Sequence, residues 1–267
     1  MIMKSMNIIA NSAFIILSLF VSSNVSADHR WNDYHWASKT STINLKVIDS
    51  TTAEWDQELN NSLHAWSRLT SPFIFTIDSA NDRSKTRKRC NMVSGQMRVC
   101  NASYGRNGWL GMASINLNSS GHISQGTAKL NDSYASSWTA EMKNHVMCQE
   151  IGHVFGLGHT SEDGSSQGTC MDYSQSEDSQ WPNSHDYQLL MDMYEHLEDN
   201  NSYDDGTAAN TDGKCKGGPR RCGSSKGNFE YGKGHKIISK DKYEVWIQPE
   251  ADGTLTIHHV YLVDGHH

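Results

Sequence analysis

Apolar and polar residues alternate along Thr42-Ile43-Asn44-Leu45-Lys46-Val47-Ile48, a period of two that predicts a strand. The period then lengthens. Trp55, Leu59, Leu63 and Trp66 recur at helical spacing, so a helix is expected over residues 53–69 with Thr52 as its N-cap. Pro72 closes that region, and Phe73-Ile74-Phe75-Thr76-Ile77 reads as a second strand. Two more strands are expected over 109–117 and 123–130, and Ser137 or Thr139 opens a helix after them. Ser184 is expected to cap a later helix over 185–197, with Leu189, Leu190, Met193 and Leu197 as its apolar stripe. Residues 200–234 are rich in Asp, Asn, Gly and Lys, as linkers are. Beyond them, two apolar runs at 243–247 and 254–257 flank Ala251-Asp252-Gly253, a β-hairpin signal, and 260–263 is a candidate further strand. So short a segment buries little core alone. The hairpin is expected to pack on the main domain or bind a partner, with its histidines, His266 and His267 included, exposed.

Composition adds a compartment. Residues 1–27 carry a single charge, Lys4, then an apolar run over 13–21 and the small residues Val25-Ser26-Ala27, which together read as a secretory signal peptide. That run is shorter than the roughly 20 residues a spanning helix needs, so a secreted or periplasmic protein without membrane attachment is expected. The formal charge of −7 is spread diffusely, which argues against nucleic acid as a partner. The one basic run, Arg83-Ser84-Lys85-Thr86-Arg87-Lys88-Arg89, is expected to be a solvated loop. The lead before Thr42 is short and holds no cysteine, so no large activation step is expected after signal removal. Six cysteines in an exported chain suggest disulfides. Cys90 and Cys100 bracket a plausible hairpin, Cys215 and Cys222 bracket a Gly/Pro loop, and Cys148 and Cys170 remain.

The chemistry concentrates in Gln149-Glu150-Ile151-Gly152-His153-Val154-Phe155-Gly156-Leu157-Gly158-His159, followed by Thr169-Cys170-Met171-Asp172-Tyr173. Positions four apart on a helix lie about 6 Å apart on one face, so Gln149 and His153 can address one ion with Glu150 beside them. Gly156 allows a positive-φ exit that brings His159 back toward the same point. Zinc takes three protein ligands and one open position in a catalytic site, and a carboxylate such as Glu150 then serves as general base toward its water. His145 is a poor fourth candidate. It lies eight residues before His153, about 12 Å along the axis.

The pattern resembles the long zinc-protease signature H-E-x-x-H-x-x-G-x-x-H with its methionine turn, and so the metzincin clan of zinc metallopeptidases, with Gln149 where the first histidine belongs. The resemblance implies an α+β fold: a metzincin-like catalytic domain over 28–200 with a mixed twisted sheet, an active-site helix, a Met-turn and a closing helix. A linker with a small disulfide loop over 201–234 and a C-terminal β-hairpin extension over 235–267 complete the expected organisation. It implies Zn2+ held by His153, His159 and, weakly, Gln149, with Glu150 as general base, Met171 beneath the site and Gly156 at the turn. In the astacin and serralysin branches a tyrosine at the spacing of Tyr173 approaches the metal, so Tyr173 is expected to ligate or to stabilise the oxyanion. A Cys148–Cys170 bond would tie the motif helix to the methionine turn. Leu110, Gly111, Met112 and Ala113 would form the cleft-edge strand that pairs with an extended peptide or protein substrate. The expected function is thus zinc-dependent endopeptidase. Its alternative is a weakened or inactive relative that binds peptides or protein partners, because Gln149 replaces a ligand.

Overall fold

Period-two segments supply most of the framework. A computed structural model of the chain describes residues 29–68, 70–204, 231–232 and 234–265. The signal segment 1–27, the expected Cys215–Cys222 loop, most of the 201–234 segment, and His266 and His267 lie outside those residues. The order of elements is β1 (Ile43–Ser50), α1 (Asp56–Trp66), β2 (Phe73–Ala80), α2 (Ser84–Arg89), β3 (Gln96–Ala102), β4 (Trp109–Leu117), β5 (Ile123–Asn131), α3 (Asp132–Ala135), α4 (Ala140–Val154), α5 (Ser184–Tyr194), β6 (His235–Ser239), β7 (Tyr243–Pro249) and β8 (Leu255–Leu262). The protein is α+β, with one mixed eight-stranded sheet in the order β2-β1-β3-β5-β4-β8-β7-β6. Strands β2, β1, β3 and β5 run parallel, and every pairing from β5 to β6 is antiparallel.

Several local expectations change for local reasons. A 3-10 turn over Ala53–Trp55 precedes α1, and Thr52 makes no side-chain cap; its hydroxyl accepts from Asn101 instead. The basic run forms the short helix α2, because Arg87 donates to the carbonyls of Asp82 and Asn101 and pins it. Cys90 and Cys100 are bonded, yet they join the end of α2 to β3 rather than closing a hairpin. Asn183, not Ser184, caps α5, in a capping box with Asp186. Leu197 lies beyond that helix and is exposed.

The largest correction concerns β4 and the chain's end. β4 is not an edge. It pairs with β5 on one side and β8 on the other, so Gly111, Met112 and Ala113 sit opposite Tyr261, Val260 and His259. The C-terminal strands therefore complete the main sheet, and the two runs read separately at 254–257 and 260–263 belong to the single strand β8. Alternation places Ala113, His259 and Val245 on one face and Met112, Val260 and Trp246 on the other. The second face packs with Trp109 and Leu262 into a small core of its own. Helices α1 and α4 cover the first face around Trp66, Phe73, Phe155 and Leu190. Trp66 and Trp36 lock α4 by donating their indole N–H groups to the carbonyls of Cys148 and Val154, each at 3.0 Å.

Candidate metal centre

Helix α4 starts where the side chain of Thr139 accepts from the N–H of Met142, and it ends at Phe155. Gly156 follows with φ +89°, and a Cβ there would lie 1.7 Å from the carbonyl oxygen of Tyr34, so only glycine makes this exit. The reversal brings His159 back to His153, with ring centroids 4.6 Å apart. The methionine turn is tied to the helix through the Cys148–Cys170 disulfide, and to the chain just after His159 through Thr160 N–H donating to the Met171 carbonyl at 2.9 Å.

The third imidazole comes from β8. His259 stacks on His153 with centroids 4.1 Å apart and stands 4.6 Å from His159. One ring nitrogen from each of His153, His159 and His259 lies within 4.8 Å of the other two. His153 donates Nδ1–H to the carbonyl of Leu157 at 2.8 Å, which leaves the Nε2 lone pair for the centre. Burial drives His153 down to about 4, and drives His159 and His259 well below the ordinary histidine range, with the neighbouring imidazoles adding to the effect in the latter two. All three are therefore neutral at pH 7, the form that ligates.

Gln149 carries a task that the sequence did not suggest, through its amide nitrogen. Its amide nitrogen donates to the carbonyls of Cys170 at 3.0 Å and Asp172 at 2.7 Å, so it clamps the helix to the methionine turn from a fully buried position. Met171 is buried beneath the helix, as the sequence suggested. His145 donates Nδ1–H to the Ser179 carbonyl at 2.6 Å and takes no part in the histidine cluster.

Glu150 lies one helical turn before His153, beneath β4. A Cβ on Gly111 would come within 2.3 Å of its Oε1, so the glycine once assigned to substrate pairing instead makes room for this carboxyl group. Burial raises Glu150 well above the usual carboxylate range, and the nearby Ala113 N–H offsets part of that without a well-formed hydrogen bond. Tyr173 packs its ring 4.1 Å from His159, and burial, then the neighbouring Tyr261, Tyr243, Glu150 and Glu162, hold its phenol protonated. Tyr243 and Tyr261 flank it at 5.8 and 5.0 Å.

Seven buried polar atoms of the histidines, Glu150 and Tyr173 have no hydrogen-bond partner: His153 Nε2, His159 Nε2, both ring nitrogens of His259, both Glu150 oxygens and Tyr173 Oη; the Oε1 of Gln149 is unpartnered as well. Buried polar atoms are nearly always satisfied, and leaving one unpaired costs about 1–3 kcal/mol. Neutral imidazoles, a carboxyl and a phenol around one point are the donor set a divalent zinc ion with a water would satisfy. A cavity of about 370 Å³ reaches His159 and His259 between the N-terminal segment and β6–β7, walled by Trp31, Tyr34, Ile237 and Tyr243.

His259 is the member of this cluster that sequence reading missed. Its signal was present: in Leu255-Thr256-Ile257-His258-His259-Val260-Tyr261-Leu262 the alternation continues through the histidines, placing His259 with Ile257 and Tyr261 on the inward face. No protein-family model matches the chain, and a search of curated proteins finds no relative.

Proposed function

We propose that the protein is an exported, zinc-dependent endopeptidase of metzincin type in which His259 takes over the ligand position that Gln149 vacates. The observation that carries this reading is the set of seven unsatisfied buried atoms around three neutral imidazoles. His153, His159 and His259 would hold the metal. Bound there, zinc supplies a water acidified toward neutral pH. Glu150, kept in a pocket under Gly111 and protonated there without a cation, would be ionised by a zinc ion beside it and so be placed to take a proton from that water and return it to the departing amine. Tyr173, protonated and unpartnered, is placed to donate a hydrogen bond to the oxygen of the attacked carbonyl. The aromatic and aliphatic wall of the cavity beside His159 favours an apolar side chain in the substrate peptide. Export is supported by the sequence of residues 1–27, by two closed disulfides, and by the lack of any helix among the described residues long and apolar enough to cross a membrane.

The decisive experiment measures zinc content and peptide hydrolysis together. One zinc should leave the protein with His259→Ala, and chelator-sensitive hydrolysis of a mixed peptide pool should vanish with Glu150→Gln while that variant still binds zinc. Zinc retained at this centre in His259→Ala would overturn the ligand set. A second reading is favoured by one specific observation, the occupation of both sides of β4, which removes the strand edge on which an extended peptide would lie. On that reading the centre binds metal and peptides without turnover. A zinc-loaded protein with no Glu150-dependent hydrolysis would establish it over the first.

A further inference from the structure

A second cluster lies apart from the centre just described, where three chain segments meet. His35 belongs to the N-terminal segment, His122 to the β4–β5 turn, and His196 and Glu198 to the chain after α5. Backbone hydrogen bonds fix these segments together: Ile123 N–H donates to the His35 carbonyl at 2.8 Å, and Glu198 N–H to the Ser38 carbonyl at 2.8 Å. On that frame one carboxylate oxygen, Glu198 Oε1, receives three imidazole Nε2 atoms: His196 at 3.2 Å, His122 at 3.4 Å and His35 at 3.5 Å. The Nε2 atoms of His35 and His196 are themselves 3.2 Å apart.

Protons alone satisfy this arrangement poorly. His35 donates Nδ1–H to the Asp33 carbonyl at 2.7 Å, which in the neutral ring leaves a lone pair on Nε2. That lone pair then faces a carboxylate lone pair and the Nε2 of His196. A cation resolves the conflict. Two ligands of a tetrahedral zinc with bonds of ~2.0–2.1 Å stand about 3.3 Å from each other. The three edges of the His35, His196 and Glu198 triangle, 3.2, 3.2 and 3.5 Å, have that length. The Nδ1–H to backbone carbonyl bond on His35 is also the outer support that ligating histidines normally carry.

We infer that His35 Nε2, His196 Nε2 and Glu198 Oε1 form a second zinc site, with His122 holding Glu198 in place from outside the coordination sphere. The ion would staple the N-terminal segment to the chain after α5. Its effect reaches the first centre, because Trp31 of the same segment packs edge-on against His153 and His259, at 6.1 and 5.7 Å between ring centroids. The open side faces solvent, since the His196 side chain is 49% exposed, and this suits an exchangeable structural metal.

The test is zinc titration of chelator-stripped full-length protein by calorimetry, with metal content measured in parallel. Wild-type protein should bind one more zinc than either His196→Ala or Glu198→Gln, and His122→Ala should bind it about tenfold more weakly. The same extra equivalent should persist in His259→Ala, so failure of the first centre and failure of this one are read separately. His196 is half exposed and Glu198→Gln keeps its shape, so at least one variant reports on the folded protein. In hydrogen exchange, zinc should slow residues 30–38 more in wild type than in His196→Ala, where only the first centre contacts this segment. Equal zinc stoichiometry and affinity in wild type, His196→Ala and Glu198→Gln would overturn the proposal.

Discussion

At the scale of single residues, on the proposed reading, Gln149 and His259 divide between them what one histidine would be asked to do. A glutamine amide offers two N–H donors on one nitrogen, and here both meet carbonyls of the methionine turn. A neutral imidazole at the same position brings a single N–H and cannot serve both carbonyls. Gln149→His is therefore expected to destabilise the fold by about 1–3 kcal/mol, the cost of a buried carbonyl left without its donor. It is not expected to tighten zinc binding, because His259 already supplies the third imidazole. Urea denaturation and zinc titration of the same variant check both halves. A Gln149→His protein at least as stable as wild type, with tighter zinc, would restore position 149 to the ligand set. Tyr173→Phe makes a contrasting case. Its Oη has no partner, so removal should leave stability within about 0.5 kcal/mol while lowering any hydrolysis by roughly tenfold or more.

At the scale of elements, β8 decides the architecture. It gives β4 its second neighbour, contributes His259 to one face and Val260 and Leu262 to the small core on the other. Removing residues 243–267 should then unpair β4 and strip the third imidazole at once. The truncated chain is expected to be insoluble or to lose cooperative unfolding, rather than to behave as an intact domain without its tail. A soluble, cooperatively unfolding truncation that still binds zinc would contradict the integral role of β8. Much of this was legible in sequence. The strands β1, β4 and β5, the helix α4 with its Thr139 cap, and the Gly156 exit each follow from local patterning. The partner of β4 was not legible, because strand pairing across more than a hundred residues leaves no local trace. His259 was hidden for a different reason. Two adjacent histidines look polar, yet strand alternation sends His258 toward Ser114 and His259 toward α4, and both are buried. Reading them as a break in the strand split β8 at the residues that carry its chemistry.

At the scale of the whole molecule, five histidines among the described residues are buried and held below their ordinary titration range: His145, His153, His159, His258 and His259, with burial the leading cause in each. In the unfolded chain each takes up a proton near pH 6.5. In metal-free folded protein His153 does so only near pH 4, and His159, His258 and His259 are also held well below 6.5. Between those limits the unfolded state binds more protons, so stability is complete above about pH 6.5 and falls as the pH drops toward 4. Glu150 and Asp186 act in the opposite sense. Burial raises both, so the folded state holds protons that the unfolded chain releases above about pH 4–4.5. Five groups against two leaves the histidines dominant, each worth up to ~1.4 kcal/mol per pH unit while it titrates. Chelator-treated protein should therefore lose thermal stability steadily from pH 7 to pH 5. Zinc should raise the melting temperature at pH 7 and lose that effect on acidification, because protons and metal compete for the same imidazoles. A melting temperature of the stripped protein that stays flat from pH 7 to pH 5 would mean that the buried histidines titrate normally, and with that the dry, neutral ligand set at His153, His159 and His259 would fall.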